Sequence, residues 1–170
     1  MLRDKNLVPY SHQHQHALAL CVRIQRALDS GDHDLARWNG EIVRAFDSEI
    51  RFHFEAEERF VFPAAKQHAS LAPLVKELMD EHGILLAFYG RARNSDLDSD
   101  GLRQFSTTLS DHIRTEERQL FEGCQNCLNS AELQQIHDRT SDFFRAKSIS
   151  PESCPMPGTS PVTNQTIQQS

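Results

Sequence analysis

The chain has 170 residues, of which 38% are hydrophobic, and carries a net charge of −6 at pH 7. This length suits one domain with a sizeable hydrophobic core and is short for two. The negative charge, without a basic cluster, argues against nucleic acid and against a membrane surface as partners. No apolar run approaches the roughly 18 residues of a membrane span, and the N-terminus lacks the apolar core of a secretory signal. We therefore expect a cytoplasmic protein whose four cysteines stay reduced.

Helical periodicity of the apolar residues runs through most of the chain, and no segment has the alternation of a strand. The first helix is predicted from residue 11, capped by Ser11, to residue 29, where a Ser-Gly-Asp sequence breaks it. The later helices are predicted over about 34–64, about 70–94, about 102–120 and 130–147, the last capped by Ser130.

Short connections between long amphipathic helices predict an all-α fold, an up-down-up-down four-helix bundle with a short fifth C-terminal helix. We assign this domain to residues 1–147. Residues 148–170 are rich in Pro, Ser, Thr and Gln and hold almost no large apolar side chains. Such a segment cannot offset the entropy of ordering, so we expect a disordered tail.

A block of seven residues with a histidine and a glutamate occurs twice. Residues 53–59 are His-Phe-Glu-Ala-Glu-Glu-Arg, and residues 112–118 are His-Ile-Arg-Thr-Glu-Glu-Arg. In each copy a histidine and a glutamate are four residues apart, which places both on one face of a helix. That face is the apolar one in both predicted helices. Helical bundles hold pairs of metal ions with histidines and carboxylates supplied in this way.

Each half of the chain also has a lone inward histidine ahead of its His and Glu pair. In the second half this histidine is His82. In the first half, His14 is in phase with the apolar residues of its helix, and Gln13-His14 aligns with Glu81-His82. His16 is the alternative, because an error of one residue rotates a helical side chain by about 100°.

Burying these side chains requires a compensating cation. Four imidazoles and two carboxylates in one core are costly while any charge stays unpaired, whereas two divalent ions neutralise both glutamates. Nitrogen and carboxylate ligands without thiolate suit iron or manganese, and suit zinc less well because zinc prefers a closed four-coordinate site. The candidate metal ligands are His14, His53, Glu57, His82, His112 and Glu116.

These motifs resemble the hemerythrin-like family, the histidine- and glutamate-rich (HHE) cation-binding domain, over about residues 8–145. The resemblance rests on the order His, His-x-x-x-Glu, His, His-x-x-x-Glu and on the repeated His-apolar-x-x-Glu-Glu-Arg block. It implies a four-helix bundle around a non-haem centre of two iron ions, in which Glu57 and Glu116 are the bridging carboxylates. It also implies a small diatomic ligand, O₂ or NO.

The chain departs from the oxygen-carrying members of that family, which have a fifth histidine from a His-x-x-x-His pair on the third helix. Here the positions four before and after His82 are Leu78 and Leu86. The ligand set is more similar to the di-iron proteins that repair iron–sulfur centres and to iron-sensing relatives. We expect a protein that binds or reacts with O₂, NO or peroxide in oxygen sensing or stress response, and we predict no catalytic residues. Donation of iron to damaged iron–sulfur centres and a metal-stabilised structural or regulatory bundle are the alternatives.

Two shorter motifs have simpler interpretations. The Asp-rich sequence before the fourth helix copies the start of a calcium-binding loop, but Thr107 stands where that loop requires a bidentate glutamate. We expect Asp98 or Asp100 to cap the fourth helix instead. Cys124 and Cys127 have redox-motif spacing without the strand and helix of a thioredoxin unit. We interpret them as small residues near a helix end, with an exposed pair that is redox-active or contacts the metal cluster as the alternative.

Overall fold

A computed structural model describes residues 3–149, and this range folds into five helices without a strand. The all-α prediction is confirmed. The helices are α1 (Val8–Asp29), α2 (residues 35–65), α3 (Ala72–Arg93), α4 (residues 99–127) and α5 (Ser130–Ile149). No helix in this range is long and apolar enough to cross a membrane. Most of the predicted tail, residues 150–170, lies outside the described residues.

The short connections are fixed by residues with specific backbone roles. α1 is followed by Gly31, whose φ of 80° suits glycine because glycine has no Cβ. The side chain of Asp34 accepts a hydrogen bond from a backbone N–H in the first turn of α2. Asp98 accepts from the N–H of Gly101 at 2.8 Å, so the expected cap of α4 is confirmed at Asp98.

Two predicted helix caps are wrong. α1 begins upstream of the prediction, with Pro9 in its first turn, so Ser11 lies inside the helix. Proline is tolerated there because the first turn has unpaired N–H groups in any case. At α5, Asn129 replaces Ser130 as the cap, since its side-chain oxygen accepts from two backbone N–H groups at 2.9 and 3.0 Å. The Glu132 carboxylate accepts from the Asn129 N–H at 2.8 Å, which completes a capping box.

π turns interrupt the α-helical geometry of α2 and α4, a feature that hydrophobic periodicity does not predict. They cover Phe46–Ile50 and Glu57–Val61 in α2 and Glu116–Leu120 in α4. The last two begin at the repeated glutamates. A π turn is frequently found at a functional site, and here it changes the helical register directly after each glutamate.

Two hydrophobic clusters form the core. The first is built by the later part of α1, the early part of α2, the later part of α3 and the early part of α4, and it includes Trp38 and Phe105. The second is built by the other halves of these helices together with α5, and it includes Phe62 and Phe121. The predicted site residues lie where the two clusters meet.

A buried amide holds α2 to the segment that precedes α4. The side-chain N–H of Asn39 donates to the carbonyl of Leu97 at 2.9 Å, and its side-chain oxygen accepts from the N–H of Leu97 at 3.2 Å. Satisfying both backbone groups of one buried residue fixes where α4 begins relative to α2.

Candidate metal centre

Four helices place the six predicted site residues side by side in the interior. All six have 4% or less of their surface exposed. They are His14 from α1, His53 and Glu57 from α2, His82 from α3, and His112 and Glu116 from α4. Polar groups buried this deeply need partners, so the contacts of each nitrogen and oxygen decide what the site can hold.

Glu57 stands between three of the histidines. Its Oε1 lies 3.2 Å from Nε2 of His53 and 4.0 Å from Nε2 of His14. Its Oε2 lies 3.6 Å from Nε2 of His82. The two oxygens of one carboxylate therefore face different histidines.

Glu116 repeats this arrangement from α4. Its Oε2 lies 3.1 Å from Nε2 of His14, and its Oε1 lies 3.2 Å from Nε2 of His112. Both glutamates therefore belong to two groups of four residues, and within each group the ligand atoms lie within 4.8 Å of one another. The first group is His14, His53, Glu57 and Glu116, and the second group is His82, His112, Glu57 and Glu116.

Six inward-facing atoms of these groups lack hydrogen bonds to any residue that the structure describes. Both carboxylate oxygens of Glu57 and of Glu116 have no hydrogen-bond partner among the residues that the structure describes. The same holds for Nε2 of His82 and of His112. Leaving a buried polar atom unsatisfied costs about 1–3 kcal/mol, and more for a charged group. Lone pairs that converge without donors fit a cation, and this set of imidazoles and carboxylates offers donors for two.

Neighbouring helices hold the outward nitrogens of the two histidines in the repeat. Nδ1 of His53 donates to Oε1 of Gln13 at 2.8 Å. Nδ1 of His112 donates to Oε2 of Glu81 at 2.7 Å. The acceptor comes from α1 in the first contact and from α3 in the second. Each of these acceptors directly precedes the lone histidine of its own helix.

The two lone histidines are held in return by residues that follow the repeated glutamates. Nδ1 of His14 donates to Oε1 of Glu117 at 2.7 Å, and Nδ1 of His82 donates to Oε1 of Glu58 at 2.8 Å. Because an amide or carboxylate oxygen can only accept, these contacts assign a proton to Nδ1 and direct Nε2 to the centre. Histidines that bind metal are oriented in this way.

The four acceptors are functional residues that the sequence analysis did not identify. They are Gln13, Glu58, Glu81 and Glu117. Each directly precedes or follows a predicted ligand in the sequence, and that adjacency is the signal that could have found them. Consecutive residues of a helix point about 100° apart, so the neighbour of an inward ligand can reach the adjacent helix.

Without a metal, the buried carboxylates stabilise protons on the imidazoles. Burial lowers the pKa of His14, but its contacts with Glu116 and Glu117 outweigh this effect and raise the pKa to about 9. Burial also lowers the pKa of His112, and Glu116 and Glu81 together raise it to about 10. In turn, burial raises the pKa of Glu116, but His112 and His14 outweigh burial and hold it well below its ordinary value. A cation that enters the site therefore replaces protons.

Aromatic rings fix the orientation of two of the imidazoles. Phe54 stacks on His82, with ring centroids 3.8 Å apart and planes inclined by 13°. Phe121 lies nearly parallel to His14 at 5.7 Å, and the Arg3 guanidinium lies 5.1 Å from the Phe121 centroid. Stacked rings have little freedom to turn, so both Nε2 atoms keep their direction.

A small cavity adjoins the centre on the side of α1. Its volume is about 10 Å³, which is room for one water-sized molecule. The cavity is lined by four site residues (His14, His53, His112 and Glu116), by five apolar residues (Ala17, Ile50, Phe54, Leu109 and Ile113), and by Gln13 and Glu49.

The structure separates the two candidate histidines of α1. His14 is 3% exposed and belongs to the centre, whereas the side chain of His16 is 74% exposed and lies 3.2 Å from Glu49. Leu78 is fully buried in the hydrophobic core and Leu86 is 43% exposed. Metal ligation by the six converging residues stays a prediction.

The cysteine pair at the end of α4 is divided between interior and surface. Cys124 is buried and Cys127 is exposed. Burial raises the pKa of the Cys124 thiol to about 12. A buried thiol that stays protonated is a poor nucleophile and a poor metal ligand. This environment favours the interpretation as small residues near a helix end.

An all-helical fold that buries two His and Glu groups around shared carboxylates defines a helical protein with a candidate two-metal centre. A family model described as the hemerythrin HHE cation binding domain matches residues 10–124, more than half of the chain. The chain therefore belongs to this family, and the resemblance found in its sequence is confirmed. The matched range contains all six converging residues and supports a metal-binding protein. No curated protein and no solved structure matches the chain significantly.

Proposed function

We propose that the chain is a non-haem di-iron protein that binds or reacts with O₂, NO or peroxide, in oxygen sensing or stress response. Each group of four residues would hold one iron ion, and Glu57 and Glu116 would be shared by the two positions. The four helices that supply the ligands form an up-down-up-down bundle, with α5 packed against its side. The proposed ligands are His14, His53, Glu57, His82, His112 and Glu116.

The two shared glutamates carry this proposal. Each directs one oxygen to His14 or His53 and the other to His82 or His112, and none of the four oxygens has a hydrogen bond. A single ion would leave some of these oxygens without a positive neighbour. Two cations satisfy them all, because each oxygen then has a positive charge beside it.

The family and the donor set together support iron. Imidazole nitrogens and carboxylate oxygens without a thiolate suit iron and manganese. Zinc fits less well, because a structural zinc site is closed by four ligands. Cys124 is the one cysteine buried near the end of α4, and its raised pKa argues against thiolate ligation.

The cavity supports a diatomic ligand. When bound, a reduced iron pair supplies electrons and an open coordination position. The protein's own residues exclude bulk water and orient the imidazoles: Ile50, Leu109 and Ile113 form apolar walls beside His14 and His53. The volume of this cavity is too small for an organic substrate. A small ligand such as O₂ or NO therefore fits the site better than an organic molecule.

Burial of the centre favours a resident metal over iron donation. All six proposed ligands are 4% exposed or less. An ion held by them can reach a partner protein only after helices move apart. Stacking of Phe54 on His82 and the hydrogen bonds to all four Nδ1 atoms oppose such opening.

Metal analysis and spectroscopy of protein purified from its native host test the proposal. We expect two iron ions per chain and near-ultraviolet charge-transfer bands that shift when azide or NO is added. The Glu57→Gln variant should lose the coupled pair, while Glu55→Gln, on the same helix and outside the centre, should keep it. One metal per chain in fully loaded protein would overturn the di-iron assignment. Absorption bands that do not shift with azide or with NO would favour a structural metal.

A further inference from the structure

We infer that the two metal positions are unequal, and that Glu81 makes the position beside His82 and His112 the tighter one. The inference rests on the proposed di-iron function. It concerns the residues behind the histidines, which set the negative charge around each position without touching the metal.

The first difference lies in the acceptors of the repeated histidines. Behind His53 stands the neutral amide of Gln13, at 2.8 Å, and behind His112 stands the carboxylate of Glu81, at 2.7 Å. Both acceptors directly precede the lone histidine of their helix. The internal repeat thus places an uncharged and a charged acceptor at equivalent positions.

The second difference lies in the acceptors of the lone histidines. The carboxylate of Glu117, behind His14, also pairs with the Arg3 guanidinium at 2.6 Å. The carboxylate of Glu58, behind His82, contacts no Lys or Arg among the described residues. Arg3 therefore offsets the negative charge of one acceptor and leaves that of the other in place.

Both differences act in the same direction. One position is backed by a neutral amide and a neutralised carboxylate. The other is backed by two carboxylates that pair with no Lys or Arg among the described residues. A carboxylate that accepts from Nδ1–H makes the opposite nitrogen of the ring a stronger ligand, and negative charge near the site attracts a cation. The Glu81 side chain is 27% exposed and that of Glu58 is 41% exposed, so solvent screens Glu81 less.

Zn²⁺ and Co²⁺ titrations of the metal-free full chain test the inference. Competition with a chromophoric chelator gives the two Zn²⁺ dissociation constants. Proton NMR at one equivalent of Co²⁺ shows which histidines the first ion occupies, through their shifted, exchangeable Nδ1–H signals. The variants are E81Q, Q13E and, as a matched control on an exposed turn of α3, E77Q.

E81Q should weaken the tighter binding step roughly 10- to 100-fold and move a signal present at one equivalent of Co²⁺. Q13E should tighten the weaker step and leave the signals at one equivalent unchanged, and E77Q should change neither step. If Q13E moves the first signals, or if E81Q acts only on the weaker step, the inference is wrong. Binding of fewer than two ions by the unmodified chain would instead refute the di-iron proposal. If E81Q does not fold, the Q13E measurements alone test the inference.

Discussion

His14 and His53 face each other through their Nε2 atoms at 2.8 Å, while the outward nitrogen of each ring is held by an acceptor. If both rings are neutral and protonated at Nδ1, the lone pairs of the two Nε2 atoms face each other and repel at this distance. A proton on His14 relieves that repulsion, in agreement with its pKa of about 9. A metal ion relieves it equally well, since both lone pairs can point at one cation.

The first prediction is that metal binding releases protons at neutral pH. The pKa of His14 is raised to about 9 and that of His112 to about 10, so at pH 7 both imidazoles carry an extra proton in the metal-free protein. These protons must leave before Nε2 can bind a cation, so the apparent metal affinity should rise as pH increases toward 9. Calorimetry with Zn²⁺ in buffers of different ionisation enthalpy measures the release. An affinity that does not change with pH would contradict it.

The second prediction concerns the shared carboxylate of Glu116. The Glu116→Gln variant keeps the shape of the side chain and removes the charge that both positions use, so metal content should fall below two ions per chain. The loss of bound metal should also lower the melting temperature relative to the loaded parent. Elemental analysis and thermal melts provide the measurements. Glu122→Gln, an exposed change on the same helix, is the control and should match the parent.

The third prediction concerns the wall of the cavity. Leu109 is 1% exposed and lines the cavity, whereas Leu102 is fully buried on the same helix away from it. Replacing either leucine by alanine should cost about 2–5 kcal/mol of unfolding free energy. Only Leu109→Ala should enlarge the cavity and speed NO binding to the reduced protein in stopped-flow measurements. Equal binding rates in the two variants would show that NO reaches the centre by another route.

The fourth prediction follows from the missing fifth histidine. Leu78 is fully buried and offers no donor, so a bound iron pair would keep an open position, and the reduced protein should oxidise quickly in air without a long-lived oxygenated form. Reduction of O₂ to hydrogen peroxide consumes two electrons from the iron pair and two protons. Glu49 is the ionisable residue of the cavity wall outside the centre, and its side chain is 29% exposed.

Glu49→Gln should therefore slow this oxidation roughly tenfold or more, because it removes the carboxylate of the cavity wall that can relay protons from solvent. Glu41→Gln, also on α2 but outside the cavity wall, should leave the rate unchanged. Stopped-flow mixing of the diferrous protein with O₂ follows the reaction. An oxygen adduct that persists for hours and reverses when O₂ is removed would restore the oxygen-carrier assignment.

Helical periodicity and the repeated block were sufficient to predict the all-α fold and the convergence of the centre. The phase of the apolar residues placed His53, His82 and His112 inward, because a helix face is set by spacing alone. The ends of helices were harder to predict. α1 begins without a side-chain cap, and the cap of α5 uses a hydrogen bond to the Asn129 side chain that Ser130 could also have made.

The contacts between helices could not be predicted from periodicity. Glu58 and Glu117 are polar residues on otherwise outward-facing positions, and a pattern of burial gives no reason to connect them with His82 or His14. A fixed period of 3.6 residues per turn likewise cannot predict the π turns that begin at Glu57 and Glu116. Both features depend on how the four helices pack against one another. The local sequence of a single helix does not determine that packing.

The sharing of Glu57 and Glu116 has a consequence for the order in which the protein matures. The group that contains His14 also requires a carboxylate from α4, so the first two helices supply no complete metal position. As the chain is synthesised from its N-terminus, neither position exists until Glu116 has left the ribosome and α4 has docked. Contacts between residues this far apart in sequence form late in folding. Under the proposed function, metal is therefore bound only after all four helices have been synthesised and have docked.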